Sequence, residues 1–99
     1  MKFIYVTCNI SMVEIVWDLL DELEILNYQT IDVVTAKSSY ANPRLNTAVW
    51  PGYNASIVIQ EANDEKVNEL FKELKEMNEK VYNSAEIVAA HMWEVNNSI

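Results

Sequence analysis

The fold is decided by the segment from 55 to 81, which reads ASIVIQEANDEKVNELFKELKEMNEKV. Residues 55–62 alternate as a half-buried strand does, with Ala55, Ile57 and Ile59 pointing to one side. Beyond them, apolar residues recur at the three- and four-residue spacing of an amphipathic helix. They are Val67, Leu70, Phe71, Leu74, Met77 and Val81. Either Asn63 or Asp64 is suited to cap that helix, so the segment predicts a strand followed directly by a helix.

The first third of the chain repeats this arrangement. Residues 2–10 alternate as a strand, and Ser11 with Glu14 forms a capping-box pattern that predicts the start of a helix. The helix stripe then runs through Met12, Ile15 or Val16, Leu19, Leu20, Leu23 and Leu26. Asn27 is its predicted end.

Two more strands are predicted, at 28–37 and 86–95, and an irregular stretch lies at 38–54. The order β-α-β-β-α-β predicts an α+β, ferredoxin-like domain over residues 1–99. Right-handed crossovers place both helices on one face of a four-stranded antiparallel sheet. Because the strands are apolar on most of both faces, the bare sheet face predicts a homo-oligomer that packs sheet against sheet.

Composition excludes several classes of function. The 99 residues carry a net charge of −8, which argues against a nucleic-acid binder and against docking on anionic lipid. One Cys, one His and one Gly leave no disulfide, no Cys-based or multi-His metal site within a chain, and no glycine-rich phosphate loop. No catalytic or metal-ligating set is therefore predicted.

No stretch approaches the roughly 20 apolar residues that span a bilayer. The apolar run at residues 1–6 is too short for the core of a signal peptide. We therefore expect no membrane insertion and a cytoplasmic protein.

The long irregular stretch supplies the candidate ligand-binding residues, because loops of this length are often functional. They are Lys37, Tyr40, Arg44, Trp50 and Tyr53. Aromatic rings offer flat contact area, and the Arg44 guanidinium can bind a carboxylate or phosphate. The alternative is that Trp50 and Tyr53 pack on the sheet rim or on a neighbouring subunit.

Other conspicuous residues are expected to be structural. Cys8 lies in an apolar strand with no cation near it in sequence, and it is expected in the core. His91, Trp17 and Trp93 are expected to be packing or interface residues. A threefold axis is the one arrangement that would gather three copies of His91.

The chain resembles the PII-like group of small trimeric signalling proteins. The resemblance rests on the start Met1-Lys2-Phe3-Ile4, the capped first helix and the element order. The excursion at 37–54 stands where those proteins have their T-loop, and the turn at 78–85 stands where they have their B-loop. It implies a non-catalytic homotrimer, with ligand clefts between subunits and a loop at 38–54 that a protein partner reads.

Two alternatives stay open. One is a dimeric α/β-barrel enzyme with a pocket near His91 and either Tyr5 or Trp93. The other is a divalent-cation-binding trimer like the CutA proteins of the same superfamily. The glycine-rich turn and basic tail of nucleotide-binding PII proteins have no counterpart here, so the ligand and any cofactor stay unidentified from sequence.

Overall fold

The computed structural model describes all residues from 1 to 99. Its strands and helices follow the predicted order: β1 (Lys2–Asn9), α1 (Val13–Glu22), β2 (Tyr28–Val34), β3 (Asn54–Glu61), α2 (Asp64–Glu79) and β4 (Ala89–Glu94). Two 3-10 turns, Ile10–Met12 and Ser84–Glu86, precede α1 and β4.

The four strands form one antiparallel sheet in the order β2-β3-β1-β4. The central pair, β1 with β3, is in register from Lys2 opposite Glu61 to Asn9 opposite Asn54. The β2–β3 pairing shifts between Ile31 and Val34. This is the ferredoxin-like arrangement that the sequence predicts.

The core lies between the sheet and both helices. The inward residues of the two central strands are almost fully buried: Ile4, Val6, Cys8, Ala55, Ile57 and Ile59. They form one cluster with Val16 and Leu20 of α1 and with Val67 and Leu70 of α2. Both helices therefore cover the same face, and each fully buried Ile or Leu side chain contributes about 1.5–3 kcal/mol.

Cys8 is a core residue, as predicted. It is 1% exposed, and desolvation raises the pKa of its thiol to about 11. Since the thiolate is the nucleophilic form, we expect the Cys8 thiol to react slowly in the folded protein.

The start of α1 differs from the prediction, whereas the start of α2 agrees with it. Asn9, and not Ser11, supplies the cap: its Oδ1 accepts a hydrogen bond from the Ser11 backbone N–H at 3.1 Å. A 3-10 turn intervenes, so α1 begins at Val13 with no side-chain cap from Met12. At α2 the predicted cap is present, because the Asn63 Oδ1 accepts from the Lys66 N–H at 3.1 Å.

The end of α1 also comes earlier than Asn27. Glu24 takes a left-handed conformation, with φ of 56°, and its N–H donates to the Asp21 carbonyl at 3.1 Å. The Ile25 N–H donates to the Leu20 carbonyl at 2.9 Å, which completes a Schellman motif. The reversal buries Ile25 but leaves Leu26 82% exposed, so the predicted stripe does not extend to Leu26.

Two strands are shorter than predicted. β2 ends at Val34 and not at 37, because Val34 already pairs with Asn54, the first residue of β3. β4 begins at Ala89 and not at 86, since residues 84–86 form a 3-10 turn.

The second sheet face carries no helix. Phe3 and Trp93 meet on it edge to face, with ring centroids 5.2 Å apart, and Trp93 is 53% exposed. Polar groups share this face: the Tyr5 hydroxyl is 2.7 Å from the Ser56 hydroxyl, and the exposed His91 lies opposite Tyr5. The face is therefore a mixture of apolar and polar side chains rather than the apolar surface that the sequence predicts.

Candidate functional site

The segment between β2 and β3, residues 35–53, is folded by its own hydrogen bonds. Ala36 and Arg44 form an antiparallel bridge, with N–H to carbonyl distances of 2.9 and 2.8 Å. Further along, the Asn46 N–H donates to the Gly52 carbonyl at 2.9 Å. The chain thus doubles back twice before it enters β3.

The second reversal depends on Gly52. This glycine has a φ of 83°, in the left-handed region where a Cβ atom is disfavoured. An added Cβ would lie 3.7 Å from the Arg44 Cγ and Cδ, so the backbone of Gly52 rests against the stem of that side chain.

Arg44 is the buried centre of the segment. It is 9% exposed, and its Nε donates to the Asn54 Oδ1 at 2.6 Å. Asn54, the first residue of β3, is itself 5% exposed. The two terminal guanidinium nitrogens bond to no protein atom, and no buried side-chain nitrogen lacks a partner, so those nitrogens are open to solvent or to a ligand.

A cleft of about 670 Å³ lies between this segment and the turn after α2. Its lining comes from residues 39–44 and 49–51 on one side and from residues 83–85 on the other. The positions taken by the T-loop and the B-loop in the resemblance therefore meet around one cavity.

The chemistry of the cleft is simple. Arg44 is the only charged residue in its lining, which contains no acidic side chain. Tyr40 and Trp50 each leave 41% of their surface exposed, and Asn42, Asn83 and serine hydroxyls add neutral polar groups. Such a lining suits a small ligand with an anionic group for the guanidinium and a flat part for the rings.

Three of the five predicted ligand-binding residues line this cleft: Tyr40, Arg44 and Trp50. Lys37 and Tyr53 do not. Lys37 is exposed elsewhere on the loop, and the carbonyl of the half-buried Tyr53 accepts from the Ile10 N–H at 3.2 Å, which ties the loop to the end of β1.

Sequence reasoning missed the second wall of the cleft. Asn83 organises it: its Oδ1 accepts from the Ala85 N–H at 2.9 Å, and its carbonyl accepts from the Glu86 N–H at 2.9 Å. The sequence feature that could have indicated this wall is the Asn83-Ser84 pair. An Asx turn formed by the Asn side chain can shape one side of a binding cleft without a glycine.

No three His, Cys, Asp or Glu side chains come together as a metal site. Neither helix combines the length and apolar character needed to cross a membrane.

Comparison with known proteins gives matches among solved structures alone. No protein-family profile matches the chain, and no curated protein does. A nitrogen regulatory PII-like protein from Thiomonas intermedia K12, bound to ADP, AMP and bicarbonate, superposes with a TM-score of 0.69 at 18% identity, over 97% of this chain and 88% of that one. The apo form of the Thiomonas protein superposes with a TM-score of 0.64 at 17% identity, over 95% of this chain and 89% of that one.

A proposed PII-like signalling protein from Thermus thermophilus gives a TM-score of 0.62 at 13% identity, over 93% of this chain and 83% of that one. The predicted resemblance is thereby confirmed at the level of structure. The chain has the fold of the PII-like proteins, and identities this low establish the fold alone.

Proposed function

We propose that this protein is a PII-like regulatory protein that binds a small ligand and signals through the 38–54 loop. The observation that carries the proposal is the cleft between that loop and residues 83–85. A ligand in this position touches the loop and a fixed part of the domain at once, so its binding energy can act on the loop conformation.

The ligand class follows from the lining. One guanidinium and no carboxylate favour an anion of low charge. Of the molecules bound by the Thiomonas protein, bicarbonate satisfies the charge requirement, and AMP adds an adenine ring that can stack on Trp50 or Tyr40. Both nucleotides carry more negative charge than a single Arg44 can balance. The imbalance is larger for ADP, so we expect ADP to bind more weakly than AMP.

The loop is the responsive element. Arg44 holds it to β3 through the Nε bond to Asn54, while the terminal nitrogens lie free for an anion. A ligand that binds these nitrogens favours the loop conformation in which Arg44 is held in place. The equilibrium between this conformation and the others shifts by at most the ratio of the ligand's affinities for them. A protein partner would read this change on the exposed residues of the loop.

Assembly belongs to the same proposal. The helix-free sheet face, with Trp93 and Ile31 about half exposed, is the surface through which we expect a homotrimer to form. In the trimer, a neighbouring subunit closes the open side of each cleft. The proposed action is binding rather than catalysis, since the lining offers no His, Cys, Asp, Glu or Lys.

The test combines mass and affinity. Light scattering should give about 34 kDa, three times the 11.4 kDa of one chain, and calorimetry should detect bicarbonate and AMP. Trp50→Ala should weaken AMP about 10- to 100-fold, as loss of a base–aromatic stack does. The control Leu26→Ala removes an exposed apolar side chain outside the cleft and should leave affinity unchanged. A dimer, or binding of neither bicarbonate nor AMP, would contradict the proposal.

A further inference from the structure

Residues 83–85, which form the second wall of the cleft, are held in place by a side chain that lies outside the cleft lining. Residues 83–85 belong to a turn that joins α2 to β4 and contains no glycine. At its base, the Asn78 side chain makes two hydrogen bonds to one backbone residue: Nδ2 donates to the Val88 carbonyl at 2.9 Å, and Oδ1 accepts from the Val88 N–H at 2.8 Å. Asn78 itself does not line the cleft.

This pair of bonds closes the turn like a rung of an antiparallel ladder. Val88 is 4% exposed and belongs to the core cluster, so its backbone groups need partners inside the protein. A planar amide is required, since one oxygen must accept while one nitrogen donates. An ionised carboxylate cannot donate, and alanine can do neither.

The two walls are therefore held differently. The loop wall depends on Arg44 and Asn54, and Arg44 faces the ligand. The turn wall is fixed by Asn78 below and by Asn83 within, and neither arrangement depends on a ligand.

We infer that Asn78 is a positioning residue for the cleft, which holds residues 83–85 where an incoming ligand meets them. The inference rests on the proposed function for the ligand, and on the geometry alone for the turn. If the turn of a variant occupies the binding conformation about one tenth of the time, apparent affinity falls about tenfold.

The experiment compares Asn78→Ala with Asn68→Ala. Asn68 is exposed on the same helix and makes no side-chain hydrogen bond, so both variants gain the same helix propensity. We expect Asn78→Ala to lower the affinity for AMP and for bicarbonate about tenfold, measured by calorimetry. It should also speed amide exchange at residues 83–88 at least tenfold. Asn68→Ala should do neither.

Asn78→Asp separates hydrogen bonding from packing. At neutral pH it should lose protection at 83–88 as the alanine variant does. Near pH 3.5, below the ordinary carboxyl pKa of about 3.9, the protonated acid can again donate and accept, so protection should recover in Asn78→Asp and not in Asn78→Ala. Equal exchange in Asn78→Ala and Asn68→Ala would overturn the inference, and so would absence of the acid recovery. If the unaltered chain binds neither probe, the proposed function fails, while the exchange data still decide the role of Asn78.

Discussion

Asn54→Ala is the substitution whose effect can be worked out most directly from the structure. It removes the Oδ1 that accepts from the Arg44 Nε at 2.6 Å. Both residues are at least nine-tenths buried, so the alanine variant leaves the Arg44 Nε–H without its protein acceptor in a largely buried position. A hydrogen bond to a charged group contributes about 1.5–3 kcal/mol, and we expect the free energy of unfolding to fall by about 2–3 kcal/mol.

In a chain of this size, that loss corresponds to a melting temperature lower by about 10–20 °C. Urea denaturation followed by circular dichroism, at one fixed protein concentration, measures it because assembly also contributes to stability. Asn54→Asp is the matched control, since it keeps an acceptor oxygen and makes the bond charge-assisted. Its stability should match or exceed that of the unaltered chain. Equal destabilisation by Ala and Asp would show that loss of the Arg44 hydrogen bond is not the cause of the destabilisation.

Three further predictions concern other parts of the molecule. Gly52→Ala should lower the free energy of unfolding by about 1 kcal/mol because Gly52 has a positive φ; the added Cβ would lie 3.7 Å from the Arg44 side chain, which is no clash. Denaturant titration measures the loss, with Ala48→Gly, at an exposed position of the same loop, as the comparison. The Cys8 thiol, with a pKa of about 11 against an ordinary 9.0, should react with a disulfide reagent at pH 8 at least about 100-fold more slowly in the folded than in the urea-unfolded chain; equal rates would be inconsistent with burial. The hydrogen bond from Lys2 lowers the pKa of Glu94 in the folded protein. The stabilisation from this ion pair is therefore present above the unfolded-state pKa of the carboxyl and is lost as the pH falls through the lower folded-state pKa. Glu94→Gln should flatten that part of the curve of stability against pH.

The fold is predictable wherever local signals agree with tertiary packing. The strand and helix at 55–81 appear close to their predicted bounds, because alternation, an Asn63 cap and a helical stripe all point the same way. The predicted start of α1 fails because Ser11 offers a capping pattern while the neighbouring Asn9 already forms an Asx turn. The Schellman turn at Glu24 could not be predicted either, because that position usually carries glycine and a glutamate at positive φ gives no sequence signal.

The site is predictable in outline but not in its contacts. The loop position, and Arg44 and Trp50 within it, follow from the sequence. The pairing of Arg44 with Asn54 does not, because it requires the loop to fold back on the first residue of β3. The wall at 83–85 comes from a turn that sequence reasoning judged by its lack of glycine, whereas amide side chains shape it instead.

The proposed function requires that a small anionic ligand be held between the loop and the turn. Amide hydrogen exchange of the unaltered chain, with and without saturating AMP and bicarbonate, tests it most directly. We expect slower exchange at residues 38–54 and 83–85 when the ligands are present, with little change in α1. Unchanged exchange in both segments, or protection confined to another surface, would contradict it.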